Sequence, residues 1–188
     1  MSQAFDWAGR IGVAASISEA LAFMHQELKD DGIEHGNLKS CNILMYKNME
    51  PCISEYGLMS LDSKYGSSLT RSKSSRSRAF QGDIYGLGVI LLELLTGKMA
   101  QNSGVDLADW VVSVVREEWT TEVFDKVLIS EGASEERLLN LLQVAIKCVN
   151  NSPDARPSIN QVATMINTLK DEDDRSMSFE PSLQLSLA

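Results

Sequence analysis

His35-Gly36-Asn37-Leu38-Lys39-Ser40-Cys41-Asn42, followed thirteen residues after Asn42 by Glu55-Tyr56-Gly57-Leu58, form the most specific pattern in this chain of 188 residues. Upstream, Trp7, Ile11, Ala14, Ile17, Leu21, Met24 and Leu28 recur every three or four positions and predict one long helix with a buried face. Asp6 is placed to cap it, because its carboxylate can accept the free amide hydrogens of a first turn. Gly32 interrupts the periodicity. Around the pattern itself, Ile33, Ile43-Leu44-Met45 and Cys52-Ile53 read as brief strands, with turns at Asn48 and Pro51. Helices dominate after Gln81. Residues 82–98 are apolar almost all round, as a helix at the centre of a domain would be, and Gly97 is placed to end it. Asp106 and Ser134 are placed to cap two more helices, and Ser158 with Gln161 makes a capping-box pair opening a last one with Ile159, Val162, Ile166 and Leu169.

Composition narrows the function classes. A content of 44% hydrophobic and 23% charged residues is that of an ordinary globular domain, and the length suits one core. A net charge of -9 disfavours nucleic acid and anionic membrane surfaces, since the field repels phosphate. Proteins are the expected partners. Cys41, Cys52 and Cys148 show no CxxC spacing, and His25 and His35 do not join them at zinc-ligand spacing, so no metal site is expected. No signal peptide and no bilayer-length apolar run is visible, so the chain as given is expected to be soluble and cytoplasmic.

Residues 60–80 differ from the rest. Eight serines and Thr70 accompany Lys64, Arg71, Lys73, Arg76 and Arg78 against the single acid Asp62, so the stretch carries about +4 in a chain of -9. It reads as a flexible solvated loop, or as one that responds to phosphorylation, because phosphates beside arginines make or break charge-assisted pairs. The acidic tail starting at Asp171 is expected to be disordered over 173–188.

The opening octapeptide keeps the spacing of the kinase catalytic loop, H-R-D-L-x-x-x-N, and Glu55-Tyr56-Gly57-Leu58 stands where D-F-G-L would follow. With these motifs in order, the chain resembles the C-terminal lobe of plant leucine-rich-repeat receptor-like kinases, in particular those described as probable inactive receptor kinases. Residues 5–25 resemble their helix E, residues 82–98 their helix F, and Asp154-Ala155-Arg156-Pro157-Ser158 the segment before their last helix. The resemblance covers residues 5–172. It implies a mainly α fold, a protein-kinase-like C-lobe built as a helical bundle with a few short β-strands and with the N-lobe absent from this chain.

It also implies a site, residue by residue. In the family the loop aspartate accepts the substrate hydroxyl's proton. Asn37 stands there, and a neutral amide is no base near neutral pH, so about 10²–10⁴ in rate is forfeited. Gly36 replaces the arginine that pairs with a phosphorylated activation loop. Glu55 replaces the magnesium aspartate and displaces its carboxylate by one methylene, a poor fit to the short octahedral geometry of Mg²⁺. Lys39 and Asn42 match the family pattern for phosphate and second-metal contact, and Leu44 the floor of the adenine pocket, making Asn42, Leu44 and Glu55 vestigial nucleotide and magnesium positions. Shape-keeping for the loop is the competing reading of these residues. His35, Asn37, Lys39 and Asn42 are therefore expected to form a degenerate catalytic loop without a functional catalytic residue.

No Gly-rich loop, V-A-I-K lysine or helix-C glutamate precedes Phe5, so no ATP or Mg²⁺ cofactor is expected for this chain except by family resemblance. Gly86-Leu87-Gly88 reads as core packing, not a nucleotide loop. The A-P-E motif is absent, which leaves Arg156 without its family partner, either exposed or paired with another acid. Asp83 matches the aspartate that braces the catalytic loop. The expected function is a pseudokinase signalling module that works by protein–protein contact, possible partners being receptor kinases, at the cytoplasmic face of the plasma membrane when part of a full receptor. The alternative is a divergent serine/threonine kinase that transfers phosphate when an N-lobe is supplied.

Overall fold

The computed structural model describes residues 6–58, 73–101, 104–117 and 120–178, the side chains of 73–79 and 176–178 excepted. Helix α1 (Trp7–Glu27) leads through a 3-10 turn (Ser40–Asn42) into an antiparallel hairpin of β1 (Ile43–Met45) and β2 (Pro51–Ile53). Helices α2 (Lys73–Thr96), α3 (Val105–Arg116), α4 (Lys126–Ser130), α5 (Glu135–Cys148) and α6 (Ile159–Ser178) follow, giving the mainly α lobe the sequence implied. The hairpin register sets Ile43 against Ile53, Leu44 against Cys52 and Met45 against Pro51.

Three predicted helix ends hold because each depends on atoms only three or four residues apart. Asp6 accepts from the Gly9 amide at 2.8 Å. Ser158 and Gln161 form the capping box, with Ser158 N donating to Gln161 Oε1 at 2.9 Å. Gly97 ends α2 at φ +66°, its amide donating to Glu93 O. Gly104, not Asp106, caps α3, with Asp106 in the first turn where a carboxylate favours the helix dipole.

Four other expectations change. Ile33 starts no strand; its amide closes the end of α1 on Leu28 O. Pro51 lies inside β2 rather than in the turn, whose reversal falls to Asn48 and to Met49 at φ +65°. The loop expected over 60–80 is helical from Lys73, since no Gly or Pro stands between Gly66 and Gly82 to stop α2 from propagating back; the rest of that stretch, 60–72, lies outside the described residues. The tail expected to begin near Asp173 is also helical to Ser178, and 179–188 lie outside the described residues. Asp173 is buried at 4% exposure, accepting from Trp7 Nε1 at 3.1 Å and from Arg137, so this acid ties α6 to α1 and α5.

The core forms where α1 packs along α6 and α2 along α5. Leu21, Ile17, Leu87, Leu91, Leu92 and Leu95 are fully buried there, each contributing about 1.5–3 kcal/mol of transfer free energy. Gly88 allows the close α2–α5 approach, since a Cβ there would lie 2.6 Å from Cys148 Cβ. Burial pushes the Cys148 thiol up to about 12, marking it as core packing rather than a nucleophile. Arg10, 6% exposed, donates to Leu94 O at 2.7 Å and to Asp125 Oδ2 at 2.6 Å. Burial pushes the Asp125 carboxyl up, but the Val127 amide and Arg10 outweigh it and hold it below the ordinary value.

Candidate functional site

The loop of residues 35–42 is organised from beneath by one carboxylate. Asp83, on α2 and 1% exposed, accepts from the backbone amides of His35 at 2.9 Å and Gly36 at 2.8 Å and bonds His25 Nε2 at 2.9 Å. Three partners on one buried carboxylate satisfy most of its acceptor capacity, which is what makes its burial tolerable. Gly36 needs its glycine, for it stands at φ +77° to present that amide. The second close approach is at Gly86, where a Cβ would come 2.4 Å from Leu38 O. Gly86-Leu87-Gly88 is thus core packing, as expected.

His35 is fully buried below the loop. Its Nδ1 accepts from the Asn37 amide at 3.3 Å, which places the ring hydrogen on Nε2. Tyr56 lies against it with ring centroids 5.4 Å apart. Burial, with Asp83 and Glu34 nearby, raises the Tyr56 phenol well above its ordinary value, so it stays neutral. Neither ring is positioned to move a proton at the surface.

Asn42, 5% exposed, spends its amide nitrogen on Asn37 O at 2.9 Å, and its own carbonyl accepts from both Ser54 N and Ser54 Oγ at 2.9 Å. This locks the loop to the strand after it. The remaining positions face outward. Lys39 is exposed at the start of the 3-10 turn. Leu44 is 54% exposed on β1. Glu55 is exposed and sits at φ +60°, a conformation few non-glycine residues adopt. Among the described residues no group of three or more metal-ligating side chains comes together. Asn37, at the position where the resemblance leads one to expect a base, is half-buried and carries an amide.

Arg156 meets neither expectation made for it. It donates to Gln81 O at 2.7 Å and Asn150 O at 2.8 Å and lies over the Tyr85 ring at 5.0 Å, so backbone carbonyls and an aromatic face replace an acid. Desolvation lowers its pKa accordingly. His25 was missed as a supporting residue. Its partner Asp83 is 58 positions away, and only its buried place on the α1 face could have pointed to it.

No family profile matches the chain. Among curated proteins it is 36% identical over 181 residues to an Arabidopsis thaliana protein described as a probable inactive receptor kinase, covering 89% of this chain and 28% of that protein. It is 38% identical over 182 residues to an A. thaliana protein described as a probable leucine-rich repeat receptor-like protein kinase, covering 88% and 27%. The chain thus spans little more than a quarter of these relatives. Among solved structures, the pseudokinase domain of BIR2, described as an immune regulator of the RLK/Pelle family, superposes with TM-score 0.77 at 26% identity, over 93% of this chain and 57% of that one. The pseudokinase DRIK1, drought responsive inactive kinase 1, gives TM-score 0.67 at 20% identity over 90% and 55%, a likeness of fold alone.

Proposed function

The chain belongs, as a kinase-like C-lobe, to the plant receptor-like kinases, and on that premise we propose that it is a non-catalytic signalling module acting through protein–protein contact. The observation that carries this reading is Asn37. The loop around it is built in full, braced by Asp83 and closed by Asn42, yet the group at its centre is an amide that cannot accept a proton near neutral pH. The scaffold therefore keeps its shape while its base is gone. Glu55 does not restore the chemistry on this reading, because its carboxylate is exposed on a left-handed residue, and among the described residues no group of three or more His, Cys, Asp or Glu side chains comes together to hold a metal.

Phosphoryl transfer from radiolabelled ATP with Mg²⁺ to a generic protein substrate tests this. The expected result is no incorporation above buffer at high enzyme concentration. A robust signal that disappears on Lys39→Ala would overturn the reading. Receptor kinases are the partner class proposed, on the membrane-proximal cytoplasmic side where such relatives would act, and co-precipitation with a receptor kinase domain is the measurement for it.

A further inference from the structure

The last turn of α5, the segment before α6 and the first turns of α6 border an open cleft of about 740 Å³, within the roughly 300–1,000 Å³ range of ligand sites. Lys147 and Arg156 both line it, and no Asp or Glu does. That sets it apart in a chain whose 26 acids outnumber its 17 lysines and arginines. Asp154, the acid nearest to Arg156 in sequence, is exposed and outside the lining.

Arg156 is half-buried and held in place by neutral groups. Its Nε donates to Asn150 O and its Nη1 to Gln81 O, and the guanidinium lies over the Tyr85 ring. Among the described residues no carboxylate lies within ion-pair distance of it, and Nη2 keeps both hydrogens without a partner. A part-desolvated cation fixed in this way lacks the counter-charge that would offset its burial. Gln161 adds an oriented donor. Its Oε1 accepts from Ser158 N at 2.9 Å and from Ser158 Oγ at 3.1 Å, which fixes the amide and leaves the Nε2 hydrogens without a partner among the described residues.

Guanidinium, ammonium and carboxamide together offer more charge and more donors than one carboxylate uses. They match a phosphate monoester, with three terminal oxygens and close to two negative charges. A net charge of -9 repels a polyanion, so a single phosphate on a protein suits this cleft better than a nucleic acid or an anionic membrane. Pro157 and Met165 supply an apolar wall for the residue beside it.

We infer that this cleft docks a phosphorylated serine or threonine of a partner protein, with Arg156, Lys147 and Gln161 holding the phosphate. The inference rests on the reading of the chain as a module that works by protein contact, and it names the chemistry of that contact. Its test uses no ATP, so its failure is distinct from any outcome of the phosphoryl-transfer assay.

The full chain is titrated at neutral pH, followed by NMR, with acetyl-Ala-Ala-phosphoserine-Leu-Ala-Ala-amide. The controls are the unphosphorylated peptide, the peptide with glutamate in place of phosphoserine, and inorganic phosphate. The phosphopeptide is expected to saturate with a Kd at or below about 1 mM, and each control to bind about tenfold weaker or less. Gln161→Glu keeps the capping box while removing the two donors and placing a carboxylate in the cleft. It is expected to abolish phosphopeptide binding without lowering the thermal midpoint. Lys147→Ala, at an exposed position, is expected to weaken binding about tenfold, the worth of one charge-assisted hydrogen bond. Equal binding of the phosphopeptide and either control peptide overturns the inference. So does phosphopeptide binding that survives Gln161→Glu or is unchanged in Lys147→Ala, inorganic phosphate that binds as tightly as the phosphopeptide, or no saturable binding at about 1 mM.

Discussion

The underside of the loop and its outer side follow opposite rules. Beneath, Asp83, His25, His35 and Asn42 are all under a tenth exposed and linked by hydrogen bonds of 2.8–3.3 Å. Outside, Lys39, Leu44 and Glu55 are exposed, and Glu55 holds a strained backbone conformation. Burial explains the difference. A group inside the brace cannot change without leaving a desolvated partner unpaired, whereas an exposed outward group leaves none behind when it changes. A loop can thus keep its form while its outward positions vary, and the two sides should separate by energy when mutated.

The largest effect belongs to Asp83→Ala. It leaves the His35 and Gly36 amides and His25 without their acceptor, and removing one member of such a buried polar cluster costs on the order of 3–5 kcal/mol. Urea denaturation reads this as a lower midpoint with little change in slope. A loss under about 1 kcal/mol would mean that water enters freely and that the underside is no more constrained than the surface.

Gly86→Ala comes next. Its Cβ would meet the Leu38 carbonyl at 2.4 Å, and a backbone atom cannot step aside as a side-chain tip can. Overpacking of this kind costs about 1–3 kcal/mol, to be read as a fall in thermal midpoint. Gly82→Ala is the internal control, since nothing lies within 4 Å of its Cβ; it is expected to leave stability unchanged or to raise it, Ala being the better helix former.

Arg156→Leu is smaller again. It deletes the donors to Gln81 O and Asn150 O, worth about 1–2 kcal/mol together once solvent takes over part of the role. Arg156→Lys should recover only part of this, because one ammonium cannot reproduce a planar fork reaching two carbonyls. Full recovery by Lys, measured by chemical denaturation, would show that charge over the Tyr85 face, rather than the fork, is what matters.

How far each feature could be read in the sequence tracks the distance between the atoms that make it. Asp6 with Gly9, and Ser158 with Gln161, are three residues apart, and both caps were legible. The loop and its Asp83 brace span almost fifty residues and became legible only through a motif whose spacing fixes its geometry. Arg156 and Asp173 had no such guide. The partners of Arg156 are backbone carbonyls, which carry no residue identity, and those of Asp173 lie 36 and 166 positions away. Composition therefore placed Asp173 in a tail when packing places it inside. Residues 73–80 misled for a related reason: serine and arginine look solvated, but nothing in them stops a helix already propagating from a buried segment.

The smallest effect should even have the opposite sign. Glu55 stands at φ +60° in an exposed position, where a side chain costs about 1 kcal/mol relative to ordinary backbone. Glycine adopts that conformation without the clash but gives back about 0.5–1 kcal/mol in unfolded-chain entropy. Glu55→Gly is therefore expected to leave stability unchanged or to raise it by a few tenths of a kcal/mol, visible as a thermal midpoint equal to or slightly above the parent. A clear loss would mean that the Glu55 carboxylate makes a favourable interaction strong enough to hold its backbone in a strained state. If that loss grew when Mg²⁺ was added to both proteins, the outer side of the loop would still bind metal, and the contrast between the two sides would be one of degree.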